Sequence, residues 1–508
     1  MSRIPVLRAL VSVSDKHGLL DFARRLVDAD VEIVSSGGTA ALLNEAGLPV
    51  TKVSDVTGAP EILGGRVKTL HPRVHGGILA DLAEDHHRRE LADQGIEPFE
   101  LVVSNLYPFE KTVAEPGVTK ADAIEEIDIG GPTLVRAAAK NHAWVGIVTS
   151  PAQYDEVATA IEAGGLDTDL RSRLAREAFF RTASYDAAIV EWFERTGVGL
   201  PERMVLPLER KAELRYGENP HQAGASFRAV GAPAWWEAAE QLQGKAMSFN
   251  NYVDADAAWR HVQDFEEPAC VIVKHTNACG VALAATLKEA FAKAWDADPT
   301  SAFGSVIAVN RPLDTATSSA MAAAGFIEVV VAPGVDDAEP LAAKTGLRIL
   351  IASPPLHPGF EMRSVDGGFV GQEWDATGEN DEWSVVSERA PTPDELRDLS
   401  FAWRVAANTK SNAIVIANSG QAVGIGAGDQ SRVGASERAV RQAGERAVGG
   451  VAASDAFFPF ADGVEALATA GITAVVEPGG SKGDAAVIEA ANAANMALVF
   501  TGRRHFKH

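Results

Sequence analysis

The sequence predicts an α/β protein of two to four domains. Short apolar strands and amphipathic helices alternate from the N-terminus onward, which is typical of an open, mostly parallel sheet. The chain has 508 residues, more than one ordinary hydrophobic core can serve. Apolar residues make up 46% and charged residues 23%, a balance that indicates globular domains rather than disorder. A large buried core is therefore expected.

The net charge is strongly negative, because 46 basic residues face 69 acidic ones and leave −23. A field of this sign repels nucleic acids and acidic membranes, so we predict neither as a partner. Cys270 and Cys279 are too few for a disulfide framework or a four-cysteine zinc site, and they fit a reducing compartment. The N-terminus lacks a signal-peptide pattern and no stretch has the apolar length of a membrane helix. These features predict a cytoplasmic protein.

The first strand and helix units predict a phosphate site. Residues 6–13 are typical of a buried strand, and residues 17–28 of an amphipathic helix. A second strand leads through the turn 36–39, Ser-Gly-Gly-Thr, to a helix over 40–46. Free backbone N–H groups and the positive end of the helix dipole attract phosphate at such a turn. Residues 14–16, Ser-Asp-Lys, end the neighbouring strand at the same sheet edge, which strengthens this reading over a bare turn.

A basic segment and a third strand follow. Residues 64–77, GGRVKTLHPRVHGG, concentrate positive charge in an acidic chain. The alternative is a solvated loop in which His71 has a structural role. A strand predicted over 101–106 brings Asn105 and then Tyr107 to a sheet edge as polar groups.

The segment EEIDIGGPTLVRAAAKNH predicts another helix start, since Pro132 follows Gly130 and Gly131 and proline is favoured at the first helical position. Arg136 and Lys140 would then lie one turn apart on one face. An ordinary surface lysine is the alternative for Lys140.

A glycine- and proline-containing stretch, 197–207, predicts the crossing between a first domain, 1–198, and a second region, 199–508. Arg215 and Tyr216 then set a guanidinium beside an aromatic ring. Such a pair can hold a phosphate and stack on a heterocycle, with a plain turn as the alternative.

The stretch 271–280, VIVKHTNACG, predicts a strand that delivers Lys274 and His275 to a loop running through Gly280. The imidazole can take a proton near neutral pH and the ammonium can stabilise a developing oxyanion, which suits acyl chemistry. A solvated basic strand end is the alternative.

Two further stretches show an α/β rhythm. The predicted elements are a helix over 283–294, strands over 305–309 and 328–332, a helix over 393–408, and a hairpin over 413–427. A zinc deaminase would need His-x-Glu and Pro-Cys-x-x-Cys to hold its metal, and neither pattern occurs in the sequence. No catalytic metal is therefore predicted.

Nine motifs, in order over essentially the full chain, resemble those of the bifunctional purine-biosynthesis enzymes that join AICAR formyltransferase to IMP cyclohydrolase. They are SVSDK, SGGTA, GGRVKTLHPRVHGGIL, NLYPF, DIGGPTLVRAAAKNH, RYGENPHQ, KHTNACG, GIGAGDQSR and SDAFFPF. Ala278 stands where many members have proline. The resemblance implies a methylglyoxal-synthase-like doubly wound domain over 1–198, with its core in 1–150. Two cytidine-deaminase-like α/β subdomains, about 199–375 and 376–508, would form the transformylase region.

By this resemblance the protein transfers a formyl group from 10-formyltetrahydrofolate to the 5-amino group of AICAR, giving FAICAR, and then closes FAICAR to IMP with loss of water. The activities are those of a one-carbon transferase and of a hydrolase acting on cyclic amidines. The co-substrate is the folate, and a homodimer is implied whose transferase sites draw on both subunits. A catalytically inactive ribotide-binding protein is the rival interpretation, which Lys140, Tyr107, Lys274 and His275 argue against.

The resemblance assigns roles in the cyclohydrolase domain. Lys140 matches the proton-shuttling lysine, with Tyr107, Lys68 and Asp128 around it. The implied substrate contacts, including the phosphate ligands, are Ser14, Asp15, Lys16, Ser36, Gly37, Gly38, Thr39, Arg66, Val67, Lys68, Thr69, Ser104, Asn105, Asp128, Ile129, Gly130 and Gly131.

In the transferase region His275 is implied as the base, Lys274 as the oxyanion stabiliser and Asn412 as a group that orients substrate. The implied ribotide contacts are Arg215, Tyr216, Gly304, Glu328, Phe457 and Arg504, and the implied folate contacts are Arg432, Val433 and Asp462. The segment GIGAGDQSR lacks the spacing of a dinucleotide or P-loop site, so no nucleotide cofactor is expected.

Overall fold

The computed structural model describes residues 3–60, 62–195, 199–356, 359–377 and 383–508. The chain divides into two compact units: the first comprises Met1–Glu209 and Ala229–Gly231, and the second comprises Arg210–Arg228 and Ala232–His508. The domain boundary predicted after residue 198 adjoins residues 196–198, which lie outside the described part of the chain. The predicted boundaries at 198, 150 and 375 stay predictions. Within the described residues, no helix is both long and apolar enough to cross a membrane.

The first unit alternates strands and helices. Its strands are β1 (Arg3–Ile4), β2 (Arg8–Val11), β3 (Glu32–Ser35), β4 (Thr51–Lys52), β5 (Leu101–Val103), β6 (Gly146–Val148) and β7 (Leu166–Asp167). Its helices are α1 (Leu19–Asp28), α2 (Gly37–Glu45), α3 (Val53–Thr57), α4 (Pro72–Leu79), α5 (Asp85–Gln94), α6 (Phe109–Ala114), α7 (Lys120–Glu125), α8 (Gly130–Lys140), α9 (Tyr154–Glu162) and α10 (Thr168–Glu194). Single 3-10 turns lie at Leu63–Gly65 and Pro151–Gln153.

A five-stranded parallel sheet forms the centre of the first unit, in the order β4-β3-β2-β5-β6. Winding proceeds outward on both sides of β2, so the sheet is doubly wound. Its core joins the strands to α1, α8, α9 and α10. In α1, Leu19, Phe22 and Leu26 recur at helical spacing and are buried on one face. The predicted α/β doubly wound domain is confirmed.

Two helices of this unit begin earlier than predicted. The helix expected over 40–46 begins at Gly37, so both glycines of the predicted turn belong to its first turn. The helix expected from Pro132 begins at Gly130, because the Asp128 side chain accepts a hydrogen bond from its first turn.

The second unit contains the remaining elements, apart from the terminal residues Leu208, Glu209 and Ala229 of two strands, which belong to the first unit. Its strands are β8 (Leu208–Leu214), β9 (Gly224–Ala229), β10 (Glu240–Gln243), β11 (Ala269–Lys274), β12 (Asn277–Leu283), β13 (Ser305–Val309), β14 (Ile327–Ala332), β15 (Arg348–Ile351), β16 (Phe360–Val365), β17 (Gly368–Glu373), β18 (Ser384–Val385), β19 (Ile414–Asn418), β20 (Gln421–Gly426), β21 (Val451–Ser454), β22 (Ala474–Glu477) and β23 (Ala497–Phe500). Its helices are α11 (Trp235–Ala238), α12 (Phe249–Val262), α13 (Leu287–Ala297), α14 (Pro299–Ala302), α15 (Thr315–Ala323), α16 (Pro393–Ala407), α17 (Arg432–Ala443), α18 (Asp462–Thr469) and α19 (Asp484–Ala493). Single 3-10 turns lie at Glu339–Leu341 and Gly444–Ala447.

A twelve-stranded sheet organises this unit, in the order β10-β15-β14-β13-β11-β12-β20-β19-β21-β22-β23-β18. The order repeats about its centre, where Ala282 of β12 faces Gln421 of β20. In the first half (249–351) and again in the second half (393–500), a helix leads to a β-hairpin, a second helix and three parallel strands. The more specific cytidine-deaminase-like relation of the halves stays a prediction.

Helices cover both faces of this sheet. Residues of α12 and α16 pack on one face, while α13 and α15 cover the other face in the first half and α17, α18 and α19 cover it in the second. The predicted loop through Gly280 and the predicted helix start at residue 283 are both wrong. Gly280 lies inside β12 opposite Ile272, and β12 continues to Leu283, whose N–H donates to the Gly420 carbonyl.

Candidate active sites

The first candidate site lies at the carboxyl ends of β2, β3 and β5, where the winding of the parallel sheet reverses. Residues 14–16 follow β2, residues 36–39 follow β3, and residues 104–107 follow β5. Open α/β sheets bind ligands in this crevice. The sheet therefore brings three predicted segments to one edge.

Asn105 fastens two of these segments together. Its Oδ1 accepts hydrogen bonds from the Ser14 N–H at 2.6 Å and the Asp15 N–H at 2.9 Å, and its Nδ2 donates to the Asp15 carbonyl at 2.8 Å. The buried Thr39 hydroxyl likewise accepts from the Val13 N–H and donates to the Val13 carbonyl. Both predicted substrate contacts thus use their side chains to hold the loop that carries Lys16.

The first turn of α2 has the features of an anion cradle. Within the described residues the side chain of its N-cap, Ser36, makes no capping hydrogen bond, so this side chain leaves the first N–H groups of the helix open to an anion. A Cβ added at Gly37 would lie 3.2 Å from the Lys68 Nζ, and one at Gly38 would lie 3.7 Å from the Lys16 Nζ. Two ammonium groups therefore flank the glycines. An open cavity of about 510 Å³ adjoins the turn, lined in part by Ser36, Gly37, Val67 and Lys68.

Asp128 forms the other side of this site. Its Oδ1 accepts from the Gly131 N–H at 2.8 Å. Burial raises the pKa of Asp128 above its usual range, and the N–H groups of Gly131, Tyr107 and Gly130 act against that rise. Nearby, a Cβ added at Gly130 would lie 3.3 Å from the Thr69 hydroxyl. The structure therefore brings Tyr107, Asp128, Gly130 and Thr69 into one neighbourhood.

Lys140 lies at the C-terminal end of its helix. It is the last residue of α8 and it is exposed, as in the alternative of a surface lysine that the sequence left open. At a rise of about 1.5 Å per residue, the backbones of Gly130 and Lys140 lie about 15 Å apart along the helix axis. Lys140 is therefore at the opposite end of α8 from Gly130. Arg66, also exposed, forms an ion pair with Glu125.

The second candidate site is one edge of the twelve-stranded sheet. Strand β11 runs antiparallel to β12 and β13, β12 to β20, and β19 to β20 and β21. The end of β11, the starts of β12, β13, β14 and β19, and the ends of β20 to β23 consequently share that edge. The predicted residues found along it are Lys274, His275, Gly304, Glu328, Asn412, Arg432, Val433, Phe457, Asp462 and Arg504.

The two basic residues of β11 occupy a tight hairpin turn. Lys274 ends the strand, and its Nζ donates to the Phe303 carbonyl at 2.9 Å, next to Gly304. His275 is exposed, and His275 and Thr276 have φ values of 55° and 64°, as a two-residue mirror-image turn requires. The Asp254 carboxylate accepts the N–H of Thr276 at 2.7 Å and that of His275 at 3.4 Å.

Asn412 and Arg432 bind each other. The buried Arg432 guanidinium donates to the Asn412 Oδ1 at 2.7 Å and the Ser454 Oγ at 2.8 Å, and it forms an ion pair with the fully buried Asp455. The Asn412 Nδ2 donates to the Asp429 carbonyl. The sequence suggested direct ligand contacts for both side chains, whereas the structure shows them engaged in an internal network.

The remaining predicted residues lie in varied settings. Glu328 forms an ion pair with Arg348 at 2.8 Å, and the Arg504 guanidinium lies over the Phe506 ring. Phe457 and Val433 are half-buried, and Asp462 is exposed at the start of α18.

Arg215 and Tyr216 follow β8, which belongs to the separate two-stranded sheet β8-β9, and the guanidinium lies 5.6 Å from the ring centroid. No hydrogen bond or ion pair between described residues joins either of them to Lys274, His275 or Asn412.

Three acidic residues with structural roles were not predicted from the sequence. Asp254 holds the His275 turn, Asp455 pairs with Arg432, and Glu477 is fully buried with its Oε2 accepting the Phe458 N–H. Asp455 lies inside the motif SDAFFPF, which was a usable signal, while the other two are isolated acidic residues in ordinary elements. Across the described ranges, no group of three or more His, Cys, Asp or Glu side chains could hold a metal ion.

Comparison with known families gives two matches. A family profile described as "AICARFT/IMPCHase bienzyme" matches residues 138–442, and one described as "MGS-like domain" matches residues 18–133. These matches agree with the predicted order of a methylglyoxal-synthase-like domain followed by a transformylase region.

Curated relatives match the whole chain. The "Bifunctional purine biosynthesis protein PurH" of Desulfitobacterium hafniense strain DCB-2 is 51% identical, covering 99% of both chains. The protein of the same name from Synechococcus elongatus is 51% identical over 98% of this chain and 99% of its own. A solved structure titled "Crystal structure of ForH" is 37% identical over 37% of this chain and 99% of its own, with a TM-score of 0.34.

Proposed function

Because this chain belongs to the AICARFT/IMPCHase bienzyme family, we propose that its two reactions are carried by the two sites described above. The protein is a bifunctional enzyme of purine biosynthesis, a formyltransferase and an IMP cyclohydrolase. Formyl transfer belongs to the edge of the twelve-stranded sheet and ring closure to the edge of the parallel sheet. The observation that supports this division most strongly is that most residues of the two predicted sets follow strands of two separate sheets, one set to each sheet.

For formyl transfer, the 5-amino nitrogen of AICAR attacks the formyl carbon of 10-formyltetrahydrofolate. His275 takes the proton that the amine loses as the new bond forms. The oxyanion of the tetrahedral intermediate faces the Lys274 ammonium, which has further N–H donors beside the one bound to Phe303. Collapse breaks the bond to the folate N10, which takes a proton and leaves as tetrahydrofolate.

Asn412 and Arg432 support this site from behind. Their mutual hydrogen bond and the Arg432–Asp455 pair fix the loop before β19, so we assign Asn412 to shaping the substrate pocket. The residues proposed as ligand contacts lie along the same sheet edge: Val433, Phe457, Asp462, Gly304, Glu328 and Arg504. Arg215 and Tyr216 follow a strand of the separate β8-β9 sheet, and we assign them to the partner's site in a homodimer.

For ring closure, the carboxamide nitrogen of FAICAR attacks the formyl carbon, and water leaves as the second ring closes. The ribotide phosphate binds the first turn of α2 between Lys16 and Lys68. Asp128 and Tyr107 line the ring end of the site. Lys140 is proposed as the base on its motif match, and its exposed position requires the substrate or a second subunit to complete its surroundings. No cofactor is needed for this step, and a cytoplasmic setting stays a prediction.

Two alanine variants test the division of labour. His275→Ala should lower formyl transfer at least about 100-fold, the usual contribution of a general base, while leaving closure of added FAICAR intact. Lys140→Ala should do the reverse. Lys288→Ala, at an exposed lysine of α13, serves as the control and should keep both activities. If either of the first two variants lost both reactions while its circular dichroism matched the unaltered protein, the assignment to two sites would be wrong.

A further inference from the structure

The two halves of the twelve-stranded sheet share more than strand order. At equivalent positions of β12 and β20, Gly280 and Gly424 let a helix backbone approach closely. A Cβ at Gly280 would lie 1.9 Å from the Ala294 carbonyl oxygen, and one at Gly424 would lie 2.2 Å from that of Ala439. The same close approach of a helix backbone to a strand glycine therefore occurs in both halves of the sheet.

Each half also clamps its hairpin turn with an aspartate from the preceding helix. In the first half, Asp254 of α12 accepts the N–H groups of His275 and Thr276 at 3.4 and 2.7 Å. In the second half, Asp398 of α16 accepts those of Ser419 and Gly420 at 2.8 and 2.9 Å. One carboxylate thus holds two consecutive turn amides in both copies.

The two turns differ in how many residues with a side chain adopt a left-handed backbone conformation. Ser419 and Gly420 have φ values of 53° and 71°, and glycine adopts such values without penalty. His275 and Thr276 have φ values of 55° and 64°, so both positions of the first turn carry a side chain in the left-handed region. Residues with side chains adopt these values only where their surroundings hold them, and a β-branched threonine is especially unfavourable there.

Asp254 stands on a rigid support. Its helix, α12, begins with a capping box at Ser248 and packs against the sheet through the buried Ala255, Ala258 and Trp259. The carboxylate is consequently held at a set distance from the sheet edge. A turn fastened to it has a defined orientation, and so does the side chain of His275.

We propose that Asp254 is a positioning residue for formyl transfer, which fixes the His275–Thr276 turn so that the imidazole and the Lys274 ammonium face one pocket. This inference rests on the proposed role of His275 in transfer. In the second half Asp398 binds the N–H groups of Ser419 and Gly420, and Asn418 and Ser419 stand where the first half has Lys274 and His275. The proposal therefore gives Asp398 no part in formyl transfer.

The matched pair Asp254→Asn and Asp398→Asn tests this inference, because the two substitutions make the same chemical change in equivalent clamps. Asparagine keeps one acceptor oxygen and presents an amide to the other N–H group, so one bond of each clamp is lost. Asp254→Asn should lower kcat for transfer by roughly 10- to 100-fold, the cost of a misplaced catalytic group, with KM for AICAR little changed. Asp398→Asn should stay within about twofold of the unaltered protein, and FAICAR closure should be unaffected in both variants.

A second substitution separates positioning from simple loss of structure. Thr276→Gly removes the left-handed penalty at that position and makes the first turn resemble the second. In the Asp254→Asn background it should restore part of the lost kcat. Equal loss of transfer in the two asparagine variants, or no rescue by Thr276→Gly, would show that the clamp only supports the fold.

Failure of the inference can be told apart from failure of the proposed function. Full transfer activity in Asp254→Asn, together with an inactive His275→Ala, would overturn the role of Asp254 and leave His275 as the base. Full activity in His275→Ala would overturn both.

Discussion

Replacing Glu477 by glutamine should make the stability of the protein less dependent on pH. Glu477 ends β22 and is fully buried; its Oε2 accepts the Phe458 N–H at 2.7 Å, while its Oε1 has no hydrogen-bond partner among the described residues. Burial raises its pKa to about 8, Asp484 adds to the rise, and Arg432 acts against it. The carboxyl group is therefore protonated in the folded protein near neutral pH.

The sign and size of the effect follow from proton linkage. The folded state holds this proton up to about pH 8, whereas an unfolded chain releases it near 4.5. The free energy of unfolding therefore falls as pH rises between these values, by about 1.4 kcal/mol per pH unit for one group. Over the whole interval the loss is of the order of 5 kcal/mol, and it levels off above pH 8.

Urea unfolding of Glu477→Gln and of the unaltered protein at several pH values from 5 to 9 measures this difference. The uncharged amide can still accept the Phe458 N–H, so the two proteins should have similar midpoints at pH 5, and the variant should become progressively more stable toward pH 8. Glu465→Gln, at an exposed position of α18, is the matched control and should follow the unaltered protein throughout. Parallel pH profiles for Glu477→Gln and the unaltered protein would refute the reasoning.

Two other predictions concern packing. Gly280→Ala should destabilise the protein by roughly 1–3 kcal/mol in urea unfolding, because its Cβ would clash with the Ala294 carbonyl, whereas Gly368→Ala, with open space around it, should have little effect. The thiols of Cys270 and Cys279 should react slowly with an alkylating reagent at pH 8 until urea is added. Burial raises the pKa of both thiols, to about 12 for Cys279, so little reactive thiolate is present in the folded protein. Rapid labelling of the folded protein would contradict this.

Sequence periodicity predicts the local secondary-structure elements of this fold. The strand and helix alternation over 6–46 and the hairpin over 413–427 depend on neighbouring residues, so they could be predicted with small errors at the ends. The pairing of β12 with β20 depends on the packing of two halves that are distant in the sequence. The residues of the two strands do not predict it. Gly280 illustrates the difference, since its presence suggested a loop, whereas the close approach of α13 requires it within a strand.

The same difference between local features and long-range contacts applies to the two candidate sites. A basic pair at a strand end was visible in the sequence, and so was the glycine turn before α2. The bonds that shape these features come from far along the chain: Asn105 lies 91 residues from Ser14, and Asp254 lies 22 residues from Thr276. The exposure of Lys140 and the engagement of Arg432 with Asp455 are likewise results of tertiary packing, which residue types alone do not reveal.

The central junction of β12 with β20 also bears on aggregation. Separated halves would each present one of these strands, seven and six residues long, as an unpaired border rich in apolar side chains. Joined in one chain, each shields the other, and the outermost described strands of the sheet are β10 and β18, of only four and two residues. Edge strands this short pair poorly with another chain, and β10 is also largely polar. The presence of both halves in one chain therefore lowers the tendency of the sheet to aggregate through its edges.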